Sequence, residues 1–537
     1  MHAFPIRAAA FALTFGLAVS GQATELKIAL ASEPTSLDPH YHQATPNDSM
    51  ASQIFESLVN HDAKMNLVPR LASSWKSVDD TTWKLDLRQG VKFSNGQPLT
   101  AQDVIFTFCR VAHNEQAVAS SFPGMVAQFA SVNAPDDHTL IIKTHKPYPL
   151  LPNDLTGLGI LWSGIVKHGP IAFNPGSQCG VTGPWPAAAD FDSLKDTVGT
   201  GPYVVKSYAK GNGVTLARNE SYWGARPEWS DVRFVPVPSS GPRLAGLLAG
   251  DFDVIENPAA RDLPRIKGTP GFGYVVTPSN RVLFLQLDVG RNPSPLVTSS
   301  DGRNPLQDVR VRRAMSMAID RNAIVTRIMS GMGTPASQFL PDGMFGALPH
   351  APELKYDADG AKKLLAQAGY PNGFEITISA TNDRYVNDSQ IAQAVAQYLA
   401  HVGIKVRVDA MTRSVFFPKR AKREFSVALG GWSSDTGEAS SFLQYWVASF
   451  TSANGVGTSN YGRYSNPELD KIFLQATVTM DPAQRKGLLQ QAVAMTLTDL
   501  PSIPLYFESS SWAFRKGLTY EGRADEYTLA TSIKSTH

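Results

Sequence analysis

From Asp357 onward the apolar positions alternate between helical and strand periods. Asp357–Ala368 carries its apolar residues at helical spacing and stops at Gly369, with Pro371 just beyond. Phe374–Ser379 then reads as a strand, Asp388–Val402 as a helix ended by Gly403, and Ile404–Val408 as another strand. A helical stretch over Ser414–Arg423 leads into the β-branched, apolar run Glu424–Leu429, which predicts a buried strand. Strands joined by helices of this length are expected to be parallel, with right-handed crossovers, so their carboxyl ends share one edge.

The first half shows the same alphabet with different grouping. Glu25–Ala31 predicts a first strand and Asp48–Leu58 a helix. Thr82–Leu87 alternates as a strand, Asn95-Gly96 marks a tight turn, and Thr100 with Asp103 caps an apolar helix through Val104–Phe108. Past Arg281, the run VLFLQLDV begins a second body, and Asp499–Phe514 reads as a closing strand after a long helix. Arg310, Arg312 and Arg313 are expected on the solvated face of a helix whose buried stripe is Val311, Ala314, Met315, Ala318 and Ile319.

Chemistry concentrates on the shared strand edge. One loop brings Arg384 and Tyr385, a second brings Met411, and the stretch GGWSSDTGEASSFLQYW, from Gly430 to Trp446, expected to form a loop turned by Gly430 and Gly431, brings Gly431, Trp432, Ser433 and Asp435. Ligands in open α/β sheets settle outside the carboxyl ends of the strands. A carboxylate there suits an ammonium, and an arginine suits a carboxylate, each through charge-assisted hydrogen bonds. Tyr41 and Tyr445 are further candidates for side-chain pockets, whereas Phe442, Trp446 and Phe450 read as packing.

Length and composition narrow the class. A chain of 537 residues is too long for one hydrophobic core and predicts several domains. With 43% hydrophobic and 18% charged residues it is globular rather than disordered. Arg7 precedes the apolar run Ala8–Val19 and the small residues Gly21-Gln22-Ala23, the pattern of a secretory signal peptide over residues 1–23. The run is shorter than the about 20 residues needed to cross a bilayer. No cysteine follows it to carry a lipid, so a freely soluble exported protein is expected.

Removing Arg7 from 49 basic residues leaves 48 against 47 acidic ones, and no long like-charge run favours nucleic acid or an anionic membrane. Cys109 and Cys179 would meet an oxidising compartment, where a disulfide is set against two separately buried thiols. His40 and His42 beside Asp38 lack further ligands at metal-binding spacing and read as surface histidines. No G-x-S-x-G, H-E-x-x-H or placed Cys–His pair supports an exported hydrolase, and no cofactor is indicated.

Several ordered motifs point to one family. Leu71-Ala72-Ser73-Ser74-Trp75, Leu87–Phe93 and Thr100–Val104 match the "LAxSW" and "LRxGVKFxxGxPxTAxDV" elements of family 5 of the bacterial extracellular solute-binding proteins. Gly199–Tyr203 matches "GTGPY", Arg218–Trp223 "RNxxYW", Asn304–Arg321 "DxRVRxAxxxAIDR", and Tyr464–Asp470 "YSNPExD". The chain therefore resembles that family, whose members include oligopeptide-, dipeptide- and nickel-binding receptors of ABC importers.

The resemblance implies an α/β, two-lobe periplasmic binding protein fold with an extra domain in the first lobe and a ligand cleft between the lobes. Lobe I is expected over 24–65, 198–278 and 499–537, its extra domain over 66–197, and lobe II over 279–498. It also implies a periplasmic monomer that passes a peptide or similar ammonium-bearing solute to a membrane permease. Peptide-binding members carry a "GWxxDxxxPxxFL"-like segment whose aspartate meets the peptide ammonium, and Asp435 occupies that place. Ala439 stands where proline is usual, and Glu438 is a competing acid. The same fold holding a metal chelate or haem, through His40, His42 or Met411, is the alternative.

Overall fold

A computed structural model describes residues 25–114, 122–434, 436–451 and 455–536. The signal-like segment and Asp435 lie outside these residues. Two long strands organise the chain: Phe272–Leu287 and Ser502–Arg515 pair antiparallel along most of their length, with a register shift between Pro278 and Val282. Both belong to a twelve-stranded mixed sheet that runs through the whole molecule. Their outer ends sit in different hydrophobic cores, because neither strand could bury both halves against one layer of helices.

At one end, Glu25–Leu30 pairs in parallel with Asp231–Pro236 and Val254–Glu256, and the latter pairs with the end of Ser502–Arg515. Leu26, Ile28 and Trp512 help to fill the first core. At the other end, Glu375–Thr381 pairs in parallel with Lys405–Met411 on one side and Val427–Trp432 on the other. Helices Asp388–His401 and Arg413–Ala421 make the crossovers, as the periodicity predicted. Leu283, Leu285, Ile376, Ile378, Ile503 and Leu505 fill this second core. Since Ile503, Leu505 and Tyr506 belong to it and Trp512 to the first, the chain changes core within Ser502–Arg515 rather than at residue 499.

An inserted antiparallel sheet, ordered Ala72–Asp79, Thr82–Leu87, Thr139–Thr144 and Phe129–Asp136, joins the first core. Helix Ala101–Ala112 packs here behind a capping box in which the Asp103 carboxylate accepts from the Thr100 N–H at 2.9 Å. Cys109 of this helix is disulfide-bonded to Cys179, with Cα atoms 6.3 Å apart. The bridge ties the helix to a loop segment that also reaches the first core through Ile171 and Val181.

Several local expectations fail for identifiable reasons. The first helix is Thr45–Ile54 rather than Asp48–Leu58. Gly430 and Gly431 do not turn the chain; they continue the strand to Trp432 by pairing with Phe284 and Leu283. After Glu438 come a single α-turn, Ala439–Phe442, and a π-helical turn, Leu443–Val447, which bury Phe442 and Trp446 but leave Phe450 53% exposed. Arg312 is buried rather than solvated, because its guanidinium satisfies the carbonyls of Leu306, Gln307 and Asp499. His40 is buried against Phe122, and Asp38 is ion-paired with buried Arg110.

Candidate functional site

A cavity of about 1810 Å³ lies between the two cores. It exceeds the roughly 300–1,000 Å³ typical of a small-molecule pocket. From the parallel-strand edge, Arg384, Tyr385, Gly431, Trp432 and Ser433 line it, as does Arg413 after the strand Lys405–Met411, so the loops predicted to converge do converge. Tyr385 explains Gly431: a Cβ there would lie 2.6 Å from the Tyr385 ring. The Tyr385 hydroxyl donates to the Gly431 carbonyl at 3.3 Å, joining the two loops across the sheet edge. Trp432 stands edge-on to Phe442, with ring centres 5.3 Å apart, which fixes its indole as a wall.

Two predicted residues are elsewhere. Met411 packs against the Phe416, Phe425 and Ala428 cluster, and Tyr41 is not among the residues that line the cavity. The strand-edge rule brings Lys405–Met411 to the right end of the sheet, but this strand is the outermost of its row and its last side chain covers the helix behind it. Asp435 lies outside the described residues; its neighbours Ser434 and Thr436 both line the cavity.

Glu438, the competing acid, is committed to structure. It is buried, accepts from Arg485 Nη1 at 2.9 Å, pairs also with Nη2, and accepts from the Ser440 hydroxyl. It is absent from the cavity wall. The same chemistry on the opposite side of the site is arranged differently. Arg281, at the register shift of the long strands, reaches Glu526 through Nη2 at 3.0 Å and Nε at 3.3 Å, and Glu508 through Nε at 3.4 Å. All three line the cavity.

The two acids of this group are held unequally. Ser279 donates to Glu526 at 2.5 Å, and the Arg281 charge overcomes burial to hold the Glu526 carboxyl below its usual range. Glu508 makes the longer contact to Arg281, with weaker help from the Arg384 charge and the Val386 N–H. Burial therefore pushes the Glu508 carboxyl up to about 7, with Arg281 opposing and the Glu526 charge adding to the rise. Burial alone would lower Arg281, but the two carboxylates outweigh it and hold its charge firmly.

The segment that follows the four-stranded sheet supplies a third side. Tyr148 donates to Asp154 Oδ2 at 2.5 Å, and burial pushes that carboxyl up to about 7 against the effect of the hydrogen bond. Both residues line the cavity. His61, also on the wall, is pushed down to about 4 by burial and by the nearby Arg523 charge, so its imidazole is neutral. Among the described residues, no cluster of three or more His, Cys, Asp or Glu side chains is arranged to hold a metal ion. Sequence reasoning missed Arg281, Glu508 and Glu526; only Glu508 left a signal, as a lone charge within the otherwise apolar and hydroxyl-bearing run Ser502–Phe514.

Comparison with known proteins supplies the frame for this geometry. The chain is 27% identical over 506 residues to the probable D,D-dipeptide-binding periplasmic protein DdpA of Escherichia coli, covering 91% of this chain and 90% of that one. It is 27% identical over 489 residues to heme-binding protein A of Haemophilus influenzae, covering 86% and 83%. The solved structure of HbpA2 from Haemophilus parasuis superimposes with a TM-score of 0.78 at 25% identity, covering 96% of this chain and 100% of that one. The model of the middle region of family 5 matches residues 66–454, and the chain accordingly belongs to the bacterial extracellular solute-binding proteins, family 5.

Proposed function

We propose that this protein is a periplasmic receptor that encloses a peptide, or a similar ammonium-bearing solute, between its two lobes and delivers it to the membrane permease of an ABC importer. The observation that carries this reading is the cavity of about 1810 Å³, walled by both cores and lined by aromatic rings and charged groups together. Peptides present that mixture: charged ends, a polar backbone and apolar side chains. The D,D-dipeptide-binding relative supports the same substrate class.

In this reading residues 1–23 direct export and are removed, leaving a protein without a lipid anchor. Among the described residues no helix is long and apolar enough to cross a membrane. The lobes correspond to the two cores, and the strands Phe272–Leu287 and Ser502–Arg515 connect them. The work is binding, as in the rest of the family, with no bond made or broken. Asp435 takes the ammonium, Trp432 and Tyr385 bound the side-chain space, and Arg384 meets a carboxylate.

A haem or metal-chelate cargo finds less support in this chain. Of its three candidate ligands, His40 is buried in the first core and Met411 packs away from the cavity, leaving His42 on the wall. Native mass spectrometry of freshly purified protein distinguishes the cargoes by mass. Titration calorimetry with a ligand so identified then tests the anchor: Asp435→Ala is expected to weaken binding at least tenfold, or about 1.4 kcal/mol. Unchanged affinity removes Asp435 from the site.

A further inference from the structure

The loop around Asp435 belongs to the second lobe by chain connection, yet part of its backbone is held from outside that lobe. Asn280, 1% exposed at the crossing of the long strands, uses both ends of its amide: Nδ2 donates to the Ser434 carbonyl at 2.8 Å, and Oδ1 accepts from the Ser433 hydroxyl. On the other side of the gap, Asn153, in the segment that follows the four-stranded sheet, donates from Nδ2 to the Thr436 carbonyl at 2.7 Å. Gly437 lies so close to the first lobe that a Cβ would stand 3.0 Å from the Met65 carbonyl oxygen. Its φ of +66° adds a second reason for glycine.

Asn153 is placed for this contact by its own surroundings. It sits in the single turn Leu151–Asp154, which opens at Pro152, and its carbonyl accepts from the Thr156 hydroxyl at 2.7 Å. Leu151 and Leu155, on either side, are buried in the first core, so the turn is anchored while the amide is left to reach across. Asn153, Tyr148 and Asp154 also line the cavity, opposite Tyr445 of the second lobe. A carbonyl that is partly buried needs a donor, and this one takes it from a residue 283 positions earlier in the chain.

We infer that the four-stranded sheet and the segment that follows it form an inserted domain, a third wall of the solute site, and that Asn153 is the positioning residue through which it latches Ser433, Ser434, Thr436 and Gly437 over the bound solute. The inference rests on the receptor reading for the identity of the cavity. Its mechanical part stands separately: opening the lobes must break the Asn153–Thr436 bond, so this bond favours the closed arrangement. The inserted domain then influences how long a solute stays, more than how fast it arrives.

Hydrogen exchange by mass spectrometry on the full-length, ligand-free protein tests the latch without any ligand. Asn153→Ala removes the donor, and Asn153→Asp keeps the size while removing it. Both are expected to raise exchange about fivefold at the amides flanking Thr436, the size expected for loss of one hydrogen bond, with the rest of the inserted domain unchanged. Unchanged exchange overturns the inference, as does an equal rise throughout the inserted domain, which would mark a merely structural role.

The kinetic arm uses trialanine followed by surface plasmon resonance. Both variants are expected to raise its dissociation rate about fivefold with the association rate unchanged. Altered exchange with unaltered dissociation overturns the role in retention. If the wild-type protein binds no trialanine and carries no peptide on purification, the receptor reading fails, while the exchange experiment still decides the latch.

Discussion

Two carboxylate–guanidinium groups flank the site, and they differ in what surrounds them. Glu438 and Arg485 face each other in a sealed space behind the loop, with side chains 4% and 6% exposed and both carboxylate oxygens satisfied. Arg281, Glu526 and Glu508 form the corresponding group on the cavity floor, where one acid is held closely and the other by a longer contact. The sealed pair can only hold the loop in place. In the open group one acid is less firmly held, beside a space large enough for a ligand, so the same chemistry becomes adjustable.

Breaking the sealed pair is expected to have the largest effect. Glu438→Ala leaves Arg485 buried and unpaired, which typically costs about 3–5 kcal/mol. Chemical denaturation measures this loss; a cost below about 1 kcal/mol would mean that water reaches the pair and that the two groups are alike.

Breaking the open group should cost less and depend on pH. Arg281→Ala leaves two acids together, but water in the cavity can solvate them, and the expected loss is about 2 kcal/mol at pH 8. Below about pH 5 the loss should shrink, because the acids can then take up protons instead of repelling each other. Thermal melts at the two pH values check this, and a loss independent of pH would show that packing, rather than charge, is what Arg281 supplies.

The smallest effect isolates the less firmly held acid. A carboxyl raised to about 7 in the folded protein binds its proton more tightly there than in the unfolded chain. Its contribution to stability is therefore fully present below the unfolded value near 4.5 and is lost as pH rises toward 7. Glu508→Gln should melt with the wild-type protein near pH 4 and above it at pH 8, by on the order of 1–2 °C. A constant offset across that range would show that Glu508 is ionised throughout.

Much of this layout was legible before the structure. The three parallel strands and their crossover helices followed from periodicity and stop signals, because both are local properties of a segment. Arg384, Tyr385, Gly431, Trp432 and Ser433 reached the cavity because the ends of parallel strands must lie at one edge. Met411 failed the same rule, since the rule places a backbone and says nothing of where an outermost side chain turns. Gly430 and Gly431 were misread as a turn because glycine signals freedom without saying whether a neighbouring strand will use it. His40 was misread as exposed because its cover, Phe122, comes from a distant segment, and Arg312 because one of its acceptors, the Asp499 carbonyl, does.

The sequence by itself determined the family, the alternation of helix and strand, and the loops that carry the site's polar groups, since each is written in neighbouring residues. Tertiary structure alone decided which acids face the cavity and what holds the loop. Glu438 and Glu508 both stand among small, apolar or hydroxyl-bearing residues, with Asp435 close to the first, yet one is sealed by Arg485 and the other opens onto a cleft. Asn280 and Asn153 secure the loop from 154 and 283 residues away. Contacts at such separations depend on how the two cores come together, and no local pattern of residues encodes that distance.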